Sequence, residues 1–202
     1  MSKNEDEEYK TIKVILLGET GVGKTCLINA YFGKKFMDNM QTTSMPESNS
    51  KILEINKKKY LIEIWDTAGQ EKYRSMNNIF VKGSKVVIFV YDATNEKTFN
   101  ELNYWVKTAK EILNTEAIYG IAGNKADLID DIEVSDEEGE KYAKENDILF
   151  CRTSAKEDSK GFQKFLDNLV EEYVEKNIDK SPRKKSGRKL SVANTKKKKN
   201  CC

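Results

Sequence analysis

The chain has 202 residues, 38% apolar and 34% charged, which suits one domain with a sizeable core. It contains no histidine, so a His-based triad, a His metal site and a His proton switch are all excluded. The net charge of +2 hides an asymmetry: residues 174–202 carry 11 Lys/Arg against 2 Asp/Glu, so the first 173 residues hold a net of −7. An acidic body with a basic tail argues against a nucleic-acid-binding domain and for a globular body with a membrane-seeking segment.

Residues 1–9 are polar and acidic and are expected to be disordered. The first strand is predicted over 11–17. Residues 18–25, Gly-Glu-Thr-Gly-Val-Gly-Lys-Thr, then match the phosphate-binding pattern GxxxxGK[ST] and open a helix predicted over 24–32. Gly18, Gly21 and Gly23 let the backbone approach phosphate oxygens, and several amides converge on one anion at the helix N-terminus. Lys24 is placed to reach the β- and γ-phosphates, and Thr25 to hold Mg²⁺ through its hydroxyl. The rival reading is a Gly-rich turn that happens to hold a lysine; spacing and flanks speak against it.

Strands follow at 51–55 and 60–65, separated closely enough at 56–59 for a hairpin. Residues 65–71 read Trp-Asp-Thr-Ala-Gly-Gln-Glu. Asp66, at a strand end, can steady a Mg²⁺ shell. Gly69 offers an unobstructed amide to a γ-phosphate. Gln70 can orient an attacking water. A further strand is predicted over 85–91 and a helix over 98–113, in which Trp105 and Tyr104 are assigned to core packing and helix surface. After the strand at 117–123 comes Asn124-Lys125-Ala126-Asp127. One carboxylate can accept from both the ring N1–H and the 2-amino group of guanine. Adenine offers neither, and would leave Asp127 unpaired.

A helix over 135–145 begins with the capping box Ser135-x-x-Glu138. The last strand, 148–151, leads into Thr153-Ser154-Ala155-Lys156, and the last helix covers 161–176. Alternating strands and helices predict a P-loop NTPase three-layer α/β fold. Its sheet is six-stranded and mostly parallel, with helices on both faces and ligand loops at the carboxyl ends of the strands. Cys26 and Cys151 form no C-x-x-C pair and are expected to be small core residues in a reducing setting. No apolar run reaches 18 residues and no leader-like h-region precedes a cleavage site. Residues 177–202 lose apolar periodicity and are expected to be a disordered polybasic tail. The domain is expected to cover 10–176.

The ordered set of motifs resembles the Ras-superfamily small GTPases, and within them the Rab family. Trp65 to Glu71, Lys72-Tyr73-Arg74-Ser75-Met76 and Tyr91-Asp92-Ala93-Thr94-Asn95 carry the Rab-like character, and the resemblance runs from about residue 10 to about residue 174. It implies a monomeric GTPase that binds GTP and GDP with Mg²⁺, with Gln70, Lys24 and Thr43 as its catalytic residues. Thr43 is reached by counting 22 residues back from Trp65, and Thr42 is the rival register. The implied nucleotide contacts are Gly18, Thr20, Gly21, Val22, Gly23, Lys24, Thr25, Cys26, Phe36, Thr43, Gly69, Asn124, Lys125, Asp127, Ser154, Ala155 and Lys156. Thr25, Thr43 and Asp66 are the implied metal ligands.

The resemblance also implies partners and a place in the cell. The partners are an exchange factor, an activating protein, a GDP-dissociation inhibitor, an escort protein met by Leu190 and Val192, a prenyltransferase, and effectors of the GTP state. Cys201 and Cys202 look like the doubly geranylgeranylated ending of Rab proteins. That implies a lipid anchor on the cytosolic face of endomembranes and a role in vesicle traffic. The chain departs from the family after Thr43. Ser44, Met45 and Pro46 follow, and Ser48, Trp65 and Phe80 stand in place of an all-aromatic effector triad. Thr20 stands where Ras has glycine, and no intrinsic arginine finger can be assigned, so a partner is expected to supply one. A nucleotide-binding scaffold with negligible turnover is the alternative reading.

Overall fold

Apolar residues on two successive faces of each central strand build the molecule. In the computed structural model, which describes residues 9–37, 40, 42–43, 45–67, 79–113 and 117–177, strand β1 (Lys10–Leu17) lies at the centre. Ile12, Val14 and Leu16 face one core cluster, and Ile15 and Leu17 face another. Strand β4 (Val86–Asp92) does the same, with Val86, Ile88 and Val90 on one side and Val87, Phe89 and Tyr91 on the other. Side chains alternate across a strand, so a continuous apolar run marks one covered on both faces.

The sheet has six strands in the order β2-β3-β1-β4-β5-β6, where β2 is Glu47–Ile55, β3 Lys58–Asp66, β5 Ile118–Asn124 and β6 Leu149–Arg152. Among the described residues only β2 and β3 pair antiparallel. They are joined at Asn56 and Lys57, both with positive φ (51° and 62°), which matches a two-residue hairpin turn. Helix α1 (Lys24–Tyr31) and α5 (Ser159–Asn177) cover one face through Leu27, Ile28, Tyr31, Phe162, Leu166 and Leu169. Helices α3 (Leu102–Leu113) and α4 (Asp136–Glu145) cover the other through Leu102, Trp105, Val106, Ala109 and Ala143. The doubly wound, mostly parallel α/β fold is therefore the one the sequence predicts.

Element bounds shift by one or two residues in several places, and three differences go further. The helix placed over 98–113 is two helices, α2 (Glu96–Asn100) and α3, which meet at Glu101. Asn95 caps α2 by accepting from the Lys97 amide at 3.1 Å. The buried Thr98 hydroxyl accepts from the Asp92 amide at 3.0 Å, which pins the first turn to the end of β4. Strand β2 begins four residues earlier than its apolar pattern does, because its pairing with β3 continues through Ser50, Asn49 and Ser48 to Glu47. Cys26 and Cys151 are half-buried rather than fully in the core, Cys26 packing against the α1–α5 side. The Ser135–Glu138 capping box is present as predicted, with bonds of 2.9 and 3.2 Å.

Gly69, Gln70, Arg74, Ser44, Leu190, Val192, Lys196 to Lys199, Cys201 and Cys202 lie outside the described residues. No helix among the described residues is long and apolar enough to cross a membrane.

Candidate functional site

In this sheet β1 lies between β3 and β4, so the chain leaves its neighbours in opposite directions there. Ligand crevices form outside the strand ends at such a point. A cleft of about 380 Å³ opens there. Thr20, Gly21, Gly23, Lys24, Thr25, Cys26, Phe36, Thr43, Asn124, Lys125, Asp127, Ala155 and Lys156 all line it. Met37, Met40, Thr42, Thr67 and Leu128 line it as well; Thr42 is the rival register to Thr43, Thr67 falls inside the 65–71 motif, and the sequence pattern assigns no role to Met37, Met40 and Leu128. Gly18, Val22 and Ser154 sit behind the lining. Val22 is fully buried, so its side chain belongs to the core and only its backbone serves the loop.

The phosphate loop is shaped by close approach. A Cβ at Gly18 would run into the Val90 carbonyl oxygen, and one at Gly23 (φ 93°) would run into the Asn124 side-chain amide. Lys24 is only 6% exposed, and its ammonium donates to the carbonyls of Gly18 at 2.9 Å and Glu19 at 2.8 Å. Burial pushes its pKa down to about 8, against the opposing pull of the Asp66 and Glu19 carboxylates.

Three oxygens meet beside it. The Thr25 hydroxyl donates to Asp66 Oδ2 at 2.6 Å and lies 2.8 Å from the Thr43 hydroxyl, which is 3.4 Å from the same carboxylate oxygen. The structure therefore joins residues 18 and 41 positions apart in sequence. Burial pushes the Asp66 carboxyl up, opposed first by the Thr25 bond and then by the charge on Lys24. The other oxygen, Asp66 Oδ1, is buried and has no hydrogen-bond partner among the described residues. Leaving a buried carboxylate oxygen unpaired is costly, so a cation or its water shell would relieve the site. Two hydroxyls and one carboxylate are hard donors. That set suits Mg²⁺, which takes one or two carboxylates together with substrate phosphates and waters rather than an all-protein cage.

The opposite end of the cleft is closed by bonds within the protein. Asn124, 2% exposed, uses both ends of its amide: Nδ2 donates to the Val22 carbonyl at 2.8 Å and Oδ1 accepts from the Ala155 amide at 3.0 Å. It thus ties the phosphate loop to both base-side loops. Ser154 donates to Asp127 Oδ1 at 2.6 Å and accepts from the amides of Lys156 and Glu157. Lys125, in the left-handed region (φ 65°), pairs with the buried Asp92 carboxylate, whose other oxygen accepts from Thr94. Arg152 donates to the Ala126 carbonyl at 2.9 Å. Phe36, 40% exposed, stands at the cleft wall as a flat apolar surface.

Asp92 and Arg152 were not among the candidates read from the sequence. A signal for Asp92 was present, since an acidic residue ends an otherwise apolar strand. Arg152 gave none. Ser48 pairs in register with Trp65, and the Trp65 and Phe80 rings lie 5.4 Å apart. Two of the three positions of the aromatic surface are thus adjacent, with a small polar residue at the third.

Two comparisons fit this geometry. The Ras family pattern matches residues 13–175. The Ras-related protein SEC4 of Saccharomyces cerevisiae is 37% identical over 179 residues, spanning 87% of this chain and 83% of its own. With the doubly wound sheet, the phosphate loop and the base-side loops in place, the chain belongs to the Ras family and is a Rab-like small GTPase.

Proposed function

We propose that the cleft binds GTP and GDP with Mg²⁺, hydrolyses GTP slowly, and uses the change of state to recruit effectors to membranes in vesicle traffic. The observation that carries this reading is the meeting of the Thr25 and Thr43 hydroxyls at Asp66 Oδ2 beside Lys24, with the other oxygen of that carboxylate, Oδ1, buried and without a partner among the described residues. In this reading Thr25, Thr43 and Asp66 hold the metal. When bound, Mg²⁺ supplies charge neutralisation at the phosphates. Lys24 leans into the same region from a fixed position, since two carbonyls already orient its ammonium. The loop amides around Gly21 and Gly23 supply further donors toward anionic oxygens. Asp127, held by Ser154, selects guanine by accepting from its two N–H groups, and Phe36, Ala155 and Lys156 border the base.

Gln70 is assigned to orient the attacking water, with Thr43 and Gly69 holding the γ-phosphate. The domain of 10–176, the prenylation of Cys201 and Cys202, and attachment to the cytosolic face of endomembranes belong to the same proposal. So do the exchange factor, activating protein, GDP-dissociation inhibitor, escort protein, prenyltransferase and effectors. The test is single-turnover hydrolysis of GTP with and without a Rab-type activating protein, alongside competition of labelled GDP by ATP. We expect an intrinsic rate on the order of 10⁻⁴ to 10⁻² s⁻¹, a large acceleration by the partner, and little competition by ATP. Equal competition by ATP would sink the base assignment, and no turnover in either condition would leave the scaffold reading standing.

A further inference from the structure

Trp105 lies on α3, outside the cleft, and is 2% exposed. Packing alone accounts for its ring, which belongs to the core cluster on the α3–α4 side. It does not account for where its polar edge goes. A buried indole N–H needs an acceptor, and here it donates across 86 positions of sequence to Glu19 Oε1 at 3.1 Å. Glu19 is the second residue of the phosphate loop, and its own carbonyl is one of the two that receive the Lys24 ammonium.

The loop is therefore held from three directions. Asn124 holds the Val22 carbonyl from the base side. Helix α1 holds the Gly23 carbonyl through the Leu27 amide at 2.9 Å. Trp105 holds the outer flank at Glu19. We propose that Trp105 is a positioning residue for nucleotide binding: its indole N–H fixes the Glu19 carboxylate, and so fixes the peptide whose carbonyl aims Lys24 into the cleft. This rests on the reading of the cleft as a nucleotide site. Helix α3 thereby has a mechanical route to the phosphate loop, and the neighbouring Tyr104 ring, 5.2 Å from Trp105, lies at the surface end of that route.

The test is the release rate of labelled GDP in Mg²⁺ from the full chain and from Trp105→Phe, Glu19→Ala, Glu19→Gln and the Trp105→Phe/Glu19→Ala double variant. It is joined to the indole ¹H–¹⁵N resonance of Trp105, assigned by its loss in Trp105→Phe. Release should be about tenfold faster in each of the first two, which corresponds to about 1.4 kcal/mol and is the scale of a hydrogen bond to a charged group. The double variant should be no faster than either single one, because both remove the same bond. Glu19→Gln keeps an acceptor oxygen, so its release rate should stay close to that of the unmodified chain. The indole resonance should move in Glu19→Ala and stay near its place in Glu19→Gln, an effect that general loss of core packing would not produce. An unmoved resonance in Glu19→Ala, or fully additive release rates, would overturn the tether. A chain that holds labelled GDP while both single variants release it at the unmodified rate would overturn it too, leaving the nucleotide reading intact. A chain that holds no labelled GDP at all would overturn both.

Discussion

At the end of the cleft proposed for the base, the base end, Asn124, Lys125, Asp127 and Ser154 each have a protein partner, whereas at the end proposed for the metal, the metal end, Asp66 buries an oxygen that has none among the described residues. The two ends lie in one cleft, and Asn124 ties the base end to the phosphate loop. One end is satisfied before any ligand arrives, so its geometry is set by folding and can discriminate between bases. The other holds a buried carboxylate raised by desolvation and a buried lysine lowered by it, with the Thr25 hydroxyl donating to the carboxylate. A site of that kind becomes favourable only when charge is added to it. Substitutions at the base end should therefore change selectivity or stability, and substitutions at the metal end should change retention of ligand while sparing the fold.

Asn124→Ala should break the comparison most severely, since Asn124 belongs to both ends. It strands the Val22 carbonyl and the Ala155 amide in a buried place, at about 1–3 kcal/mol for each group. Urea denaturation without nucleotide should show a loss of about 3 kcal/mol, and nucleotide retention should fail as well. An unchanged denaturation midpoint would mean that the two loops are not joined through this amide.

Asp127→Asn confines the damage to the base end. The Ser154 bond can be remade to the new side-chain amide, so the fold should keep its stability to within about 1 kcal/mol. GDP loses a charged acceptor for two donors, a loss of about 100-fold or more in affinity. Xanthine nucleotides should gain, because the amide can donate to the xanthine oxygen. Competition of labelled GDP by XTP measures the exchange. If GDP still outcompetes XTP as it does in the unmodified chain, Asp127 does not read the base.

Asp66→Asn is the complementary change at the metal end. It removes a carboxylate that burial disfavours and that holds an unpaired oxygen, while an amide still accepts from Thr25. The ligand-free fold should be as stable as before, or more so. Retention of GDP in Mg²⁺ should fall by about 10- to 100-fold and should lose its dependence on the metal. A stability loss above about 2 kcal/mol would show that Asp66 is a structural carboxylate and that the two ends do not differ as argued.

The legibility of the two ends in the sequence differed for a physical reason. Gly18 to Thr25 and Asn124 to Asp127 are contiguous motifs, so they could be picked out without a fold, and residues of both line one cleft. The central strands could be read because burial on both faces forces unbroken apolar runs, as in Val86 to Tyr91. Strand β2 could be read only in part, because Glu47 to Ser50 are held in the sheet by backbone pairing and carry no apolar pattern. The break at Glu101 was hidden because hydrogen bonds run across it: the Glu101 amide reaches the Lys97 carbonyl, and the Trp105 amide reaches that of Glu101. Glu19 with Trp105, and Arg152 with Ala126, are contacts between elements far apart in the chain. Propensity and periodicity carry no information about such pairs. Thr43 could be placed by counting, yet its bonds to Thr25 and Asp66 belong to the tertiary structure alone.

The smallest effect separates the ends through their cysteines. Cys26 follows Thr25 and lines the cleft, so bound nucleotide should cover it. Cys151 lies in β6, half-buried, with its thiol pushed up to about 12 by burial and then by the Asp158 carboxylate. At pH 8 only about one part in ten thousand of such a thiol is thiolate, the form that reacts. Alkylation by iodoacetamide, followed by mass spectrometry of the two peptides, should therefore show Cys26 slowed by GDP and Mg²⁺ and Cys151 slow with or without them. The Cys151 rate should rise about tenfold per pH unit while the fold persists. A folded-state pKa raised above the unfolded value contributes stability that is complete below the unfolded pKa, near 9, and is lost as pH climbs toward about 12. Stability should thus decline over that window in the unmodified chain and decline less in Cys151→Ser. Fast labelling of Cys151 at pH 8, or protection of Cys151 by GDP equal to that of Cys26, would mean that the base end opens as readily as the metal end. The contrast between a finished end and an unfinished one would then fail.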